Sequence, residues 1–472
     1  MLERKLKQLA KNQLIYPFHM PGHKRRWQKG FPDPFSIDIT EIEGFDNLHH
    51  AEGVLRQEQE RAAALFDSKK CYYLVNGSTC GILAAVSAAV PRGAKILIAR
   101  NCHKAVYHAC YIRQLAPVYV YPVNTRSGLQ GQVTVQDIER QLDLHPDVCA
   151  LVITSPTYDG LVSDVAAIAE AVHRRGIPLI VDEAHGAHFG LHEAFPENAT
   201  RLGADAVVMS VHKTLPAFTQ TALLHLCSDR IDAAEVSRFL SIYETSSPSY
   251  LLMAGISRCM RMLAMKMTRD RIDSYVGMLE KFRRKTGALS HMKVLGAADF
   301  GPQEAFAFDI GKLIIDTGDS GMSGQQLKEV LLSLYLLQTE MASGSYVLAM
   351  TSFMDSPKGF DRLANALLAL DEHCTPAEWD ELLEPVDIYR EQEKCMELCD
   401  AAEAAHEEVA LAYAKDRICA GYLYLYPPGI PILVPGERIT EWTVLDIEEC
   451  LRLGLQVEGL SVSGGIEVVK TA

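Results

Sequence analysis

The chain has 472 residues, 48% of them hydrophobic and 22% charged, a balance that buries enough apolar surface to fold and excludes a disordered chain. Its 46 Lys and Arg against 60 Asp and Glu leave a formal charge of −14, the wrong sign for gripping nucleic acid backbones. The longest strongly apolar run, Gly81 to Val90, falls well short of the ~20 residues that span a bilayer, and MLERKLKQLAKNQLIYP lacks the apolar core of a secretory signal, so a cytoplasmic protein is expected.

Residues 1–55, rich in Pro, Gly, His and aromatics after an opening helical stretch, read as an extended, irregular arm. From EGVLRQEQERAAALF (52–66) onward, helical runs alternate with short apolar strands: CYYLV (71–75), KILIA (95–99), PVYVYPV (117–123), CALVIT (149–154), PLIVD (178–182), AVVMS (206–210) and TALLHL (221–226). GILAAVSAAV, VQDIERQL and VAAIAEAVHRRG are the helices between them. Strand–helix–strand repetition with continuous apolar strands predicts an α/β fold with a mainly parallel sheet covered on both faces, over residues 56–290. Residues 235–290 close that domain as a helical bridge. A smaller alternating domain is expected at 291–385 and a C-terminal domain at 386–472, beginning with a helical piece, YREQEKCMELCDAAEAAHEEVALAYA. The twelve cysteines are scattered with no CxxC pair, as suits reduced cytosolic thiols; Cys395 and Cys399 stand i and i+4 on the expected helix without further metal ligands.

The most informative stretch is VDEAHGAHFG (181–190), followed 31 positions after Asp182 by Lys213 in SVHKTLPAFTQTALLH. An acid closing one strand and a lysine just after another are what a pyridoxal phosphate site requires. The lysine holds the cofactor as a Schiff base, and the carboxylate keeps the pyridine nitrogen protonated. Such a pair also occurs in α/β proteins with other chemistry. NGSTCG (76–81) adds a small-residue turn running into a helix, where Gly77, Ser78 and Thr79 would cradle a phosphate or simply cap the helix. Neither GxGxxG nor GxxxxGK[ST] occurs, which weakens a nucleotide reading. His185 and His188 form an HxxH pair, with no third metal ligand at a suitable spacing. His103 follows the strand KILIA, at a carboxyl end where α/β proteins place ligands, and its flat ring could stack on a cofactor or cap a helix.

Taken together, PFHMPGHK (17–24), DITEIEGFDNLHHAEG (38–53), VNGSTCG (75–81), RNCHKAVYHA (100–109), SPTYDGLVSDV (155–165), VDEAHGAHF (181–189), SVHKTLPAFTQTALLH (210–225), TSSPSYLLMA (245–254) and YPPGIPILVPGE (426–437) resemble the Orn/Lys/Arg decarboxylase family across almost the whole chain. The resemblance is to its short bacterial form, without a receiver-like N-terminal domain, and implies a fold type I pyridoxal phosphate enzyme with a smaller α+β C-terminal domain. It implies that Lys213 is the Schiff-base lysine, Asp182 the pyridinium partner, His103 the ring-stacking residue, and Ser78 and Thr79 the phosphate loop. Ser210 and His212 would approach the phosphate or the lysine, Ala184 and His185 would line the ring, and Thr157 would sit beside it. Ser246 and Ser247 would reach the phosphate of a neighbouring subunit, which makes a homodimer the minimum assembly. Cys102 and Ala105 stand where the family usually has serine, so hydroxyl contacts from those positions are lost.

The implied reaction is decarboxylation of arginine, lysine or ornithine to a polyamine-pathway amine and carbon dioxide. The substrate's distal cation must meet an acid, for which Glu437 is the candidate, a solvated surface glutamate being the alternative. The competing class is another fold type I enzyme such as an aminotransferase; it would need an arginine clamp for the α-carboxylate, and none is well placed near the C-terminus, although Arg438 follows Glu437.

Overall fold

The computed structural model describes residues 2–12, 14–26, 31–374, 390–426 and 429–470. The seven expected strands all form and make one sheet: β1 Lys70–Leu74, β2 Lys95–Ala99, β3 Ala116–Val120, β4 Val148–Thr154, β5 Leu179–Asp182, β6 Ala206–Met209 and β7 Ala222–Leu226. Their order is β1-β7-β6-β5-β4-β2-β3. The pairs from β3 through β6 are parallel, while β7 runs antiparallel to both its neighbours. β5, β6 and β7 are buried throughout, which is why their sequences are unbroken apolar runs rather than alternating ones. β3 stops at Val120 rather than running to 123, because Pro122 has no N–H to offer a ladder; Pro117 is tolerated within it because β3 is the sheet edge.

Helix Gly77–Ala89 lies close against the sheet. A Cβ at Gly81 would meet Leu74 Cδ1 at 2.6 Å and Val208 Cγ1 at 3.0 Å, so only a bare Cα permits the approach. Helices Ala233–Tyr243, Tyr250–Leu263 and Lys266–Thr286 form the expected bridge.

The N-terminal arm is more integrated than an extended tail. After the exposed helix Leu2–Lys11, Tyr16–Phe18 pairs in parallel with Leu337–Thr339, and Phe18 is fully buried. Gly22 N–H donates to the His212 carbonyl (2.8 Å), and Ser352 Oγ donates to the Gly22 carbonyl (2.7 Å). The arm therefore sits directly on the turn that carries Lys213.

Residues 291–374 form a four-stranded antiparallel sheet in the order Lys293–Leu295, Lys312–Asp316, Tyr346–Met350, Met341–Ala342, with helices Gly324–Ser333 and Pro357–Asp371. The boundary expected at 385 lies outside the described residues. Beyond it the chain has a separate apolar cluster that includes Leu411, Leu433, Ile447 and Val468. Here the expected helical piece is a correction. Of its described residues only Leu398–Glu403 is α-helical, with a 3-10 turn at Leu411–Tyr413; His406–Ala410 is a strand pairing antiparallel with Gly465–Val469, because tertiary pairing overrides the helix propensity of the Glu- and Ala-rich run. Cys395 precedes that helix, so Cys395 and Cys399 do not share a helical face. All twelve cysteines are free, and no helix among the described residues is long and apolar enough to cross a membrane.

Candidate active site

The residues singled out by sequence converge at the carboxyl ends of the parallel strands. Asp182 ends β5 and Thr154, its register partner, ends β4. His103 lies in the turn after β2, and Lys213 in the short helix Val211–Thr214 after β6. Ser78, His103, Thr157, Asp182, Ala184, His185 and Lys213 line one cleft together with Asn101, Thr154, Tyr158 and Ile430. Gly77 begins the helix behind Ser78 with φ +78°, a backbone conformation open to glycine, and Glu244 accepts the Val75 N–H (3.0 Å) to hold the turn. Ser210 Oγ donates to Ser78 Oγ at 2.9 Å, tying the lysine segment to the phosphate-type loop.

His103 caps the helix Lys104–Arg113, accepting the Ala105 N–H at Nδ1 (3.2 Å). Burial lowers its pKa to about 3, and any charge on Lys213 would push the same way, so the ring on the cleft wall is neutral. Asp182 is 4% exposed; burial raises its carboxyl above the usual range, while Lys213 pulls the other way. Lys213 is itself lowered by burial, against the pull of Asp182 and Glu340. His185 is held between two lysines, Nε2 at 2.9 Å from Lys213 Nζ and Nδ1 at 2.8 Å from Lys312 Nζ.

Buried neutral histidines make a pH prediction. His103 and His225 are both lowered to about 3 by burial, against 6.5 for a free ring. The unfolded chain binds protons that the native rings refuse, so stability falls as pH drops from 6.5 toward 3. The loss is up to about 2 kcal/mol per ring at pH 5. Urea midpoints at pH 7.5 and pH 5 check this, the midpoint at pH 5 being the lower.

The donor set fits pyridoxal phosphate: a lysine, a strand-terminal carboxylate, a flat neutral imidazole and a helix N-terminus with a serine. Asn101 Oδ1, on the cleft wall, is buried with no hydrogen-bond partner among the described residues, as expected of a wall built for a polar ligand. A model of the Orn/Lys/Arg decarboxylase major domain matches residues 2–304, and one of that family's C-terminal domain matches residues 390–449. The chain belongs to the Orn/Lys/Arg decarboxylase family.

Among this family's members, the arginine decarboxylase of Halalkalibacterium halodurans is 32% identical over 459 residues, covering 94% of this chain and 91% of that protein. The arginine decarboxylase of Bacillus subtilis is 31% identical over 469 residues, covering 96% and 94%. The lysine decarboxylase LdcF of Francisella novicida shares the fold with a TM-score of 0.78 at 18% identity, over 99% of this chain and 83% of that one. The ureidoglycine-glyoxylate aminotransferase of Bacillus subtilis shares less of it, with a TM-score of 0.54 at 12% identity over 71% and 89%.

Several expected family residues stand outside the cleft. Thr79 is exposed on the first turn of its helix. His212 turns Nδ1 to the Thr221 carbonyl at 2.9 Å. Ser246 and Ser247 are exposed between two helices and are not among the residues lining this chain's cleft. His185 and His188 diverge, the latter bonding to Asp309 at 3.1 Å, so HxxH does not frame one metal. Glu437 is a correction. It is 1% exposed and bound to Arg100 by two hydrogen bonds (2.9 and 3.0 Å), a buried pair that leaves it neither solvated nor open to a substrate cation.

Tyr158, Lys312, Asn101 and Ile430 escaped the sequence reading. Tyr158 lies in the SPTYDG motif, and a lysine opening the apolar strand KLIID was a signal for Lys312.

Proposed function

We propose that the protein is a pyridoxal phosphate-dependent decarboxylase of a basic amino acid: arginine, lysine or ornithine. The observation that carries this is the meeting of Lys213, Asp182 and His103 in one cleft of an Orn/Lys/Arg decarboxylase chain. When bound, the cofactor supplies an electron sink for the pair left behind as the α-carboxylate departs. Lys213 Nζ would hold it, and Lys213 or a neighbouring His would carry a proton to the substrate Cα. Asp182 would hold a proton at the pyridine nitrogen, His103 would cover the ring, and Ser78 with the first-turn amides of its helix would receive the phosphate. An adjoining cavity of about 300 Å³ shares Thr157, Tyr158 and Ile430 with the cleft and suits the substrate side chain. Asp159 is the carboxylate on its described wall, accepting from Tyr346 Oη at 3.0 Å.

The protein acts in the cytoplasm, as a homodimer in which Ser246 and Ser247 reach the neighbour's phosphate, and its product feeds polyamine synthesis; the exposure of both serines supports the dimer. The test is carbon dioxide release from arginine, lysine and ornithine with added pyridoxal phosphate. Release from one of them is expected; release from none overturns the proposal.

A further inference from the structure

Lys312 is 1% exposed, and its stem crosses Gly160, where a Cβ would strike Lys312 Cγ at 2.6 Å. Its Nζ lies 3.0 Å from the Tyr158 carbonyl oxygen and 2.8 Å from His185 Nδ1, while His185 Nε2 lies 2.9 Å from Lys213 Nζ. Proton counting constrains this row. A neutral imidazole offers one donor and one acceptor, and an ammonium offers donors alone. Two ammonium groups therefore cannot both bond to one neutral imidazole, and an imidazolium between two amines would surrender its proton to the stronger base. At most one of the two lysines is charged, and at least one is a free amine.

The surroundings decide which. Lys312 has two acceptors, the Tyr158 carbonyl and His185 Nδ1, and faces the carboxyls of Asp309, Glu340 and Asp159. Lys213 faces Asp182 and Glu340, and its hydrogen-bond contact is His185 Nε2. We propose that Lys312 is a positioning residue: by donating to His185 Nδ1 it fixes the imidazole with its proton on Nε2, which donates to Lys213 Nζ and holds that lysine as a neutral amine. This rests on the reading of Lys213 as the cofactor-binding lysine. A neutral amine condenses with an aldehyde by addition of its lone pair and loss of water; an ammonium must first shed a proton. Lys312 thus keeps Lys213 ready for capture of the cofactor.

The experiment is trace acetylation of the full chain, freed of carbonyl compounds, across a pH series, with Lys213 modification read by mass spectrometry. In the wild type the Lys213 midpoint is expected below the ordinary lysine value. In Lys312→Met the nearby charge is gone and Nε2 is free to accept, so the midpoint rises by about one pH unit, a tenfold loss of free amine. Lys312→Arg, which keeps charge and donors, is expected to stay near the wild type. A wild-type midpoint at the ordinary lysine value, or a Lys312→Met midpoint that does not move, overturns the proposal. Should Lys312→Met not fold, the wild-type midpoint still decides. Absence of pyridoxal phosphate binding would sink the functional reading without altering this measurement.

Discussion

In Lys213→Ala, carbon dioxide release is expected to fall by about a thousandfold or more, and the visible absorbance of the bound cofactor to disappear. On the proposed reading, removing Nζ deletes the atom that would bond the cofactor and a proton carrier with it, whereas the frame of the cleft remains. Lys213 is partly exposed, and among the described residues its Nζ makes one hydrogen bond, to His185, which keeps its other bond to Lys312. Stability should change by only about 1–2 kcal/mol, chiefly through the lost pull of Lys213 on the buried Asp182 carboxyl, which burial already shifts toward its neutral form. Thermal unfolding with and without pyridoxal phosphate separates the two effects. A variant that keeps wild-type carbon dioxide release would show that Lys213 does not carry the chemistry.

Glu437→Ala should instead damage the fold. Arg100 is 2% exposed and all five of its N–H donors are met: Nε and one Nη2 proton by the Glu437 carboxylate, the other Nη2 proton by the Ile432 carbonyl, and Nη1 by the Pro431 carbonyl and Tyr107 Oη. Its guanidinium carbon also lies 5.7 Å from the ring centroids of Tyr107 and Tyr119. Deleting the carboxylate strands a buried cation, at a cost of about 3–5 kcal/mol. Replacing both partners by methionine should recover much of that loss, since no uncompensated charge remains. Urea titration of the two variants measures the difference. Were Glu437 the acid that receives the substrate's distal cation, Glu437→Ala would raise KM and leave the urea midpoint in place.

The sheet was legible because buried parallel strands must be apolar on both faces, and such runs are visible without knowing their neighbours. Asp182, His103 and Lys213 were legible for a related reason: each sits at the end or just beyond one of those runs, where the topology gathers ligands. Contacts between distant segments were not. His185 and Lys312 are 127 positions apart, and Arg100 and Glu437 are 337 apart, so neither spacing nor composition shows that one imidazole bridges two lysines or that a glutamate is already taken. The segment 406–410 was misread because its strand partner is some sixty residues later. The Ala- and Glu-rich local text favours helix, and the distant pairing wins.

The Arg100–Glu437 bond also bears on how the molecule is made. His103 stands three residues after Arg100, with Gly429 O accepting the Lys104 N–H at 3.3 Å and Ile430 on the wall of the same cleft. At the other end Gly22 is bonded to Ser352 and to the His212 carbonyl. Contacts of such long sequence separation require loop closure before they give any return, which slows folding. A nascent chain on the ribosome can complete its seven-stranded sheet while Arg100 still lacks its anion, and the cleft acquires its last wall only when the C-terminal strands emerge. Catalytic competence is thus a late event in synthesis, and a fragment ending before Ile430 would carry Lys213, Asp182 and His103 in an unfinished site.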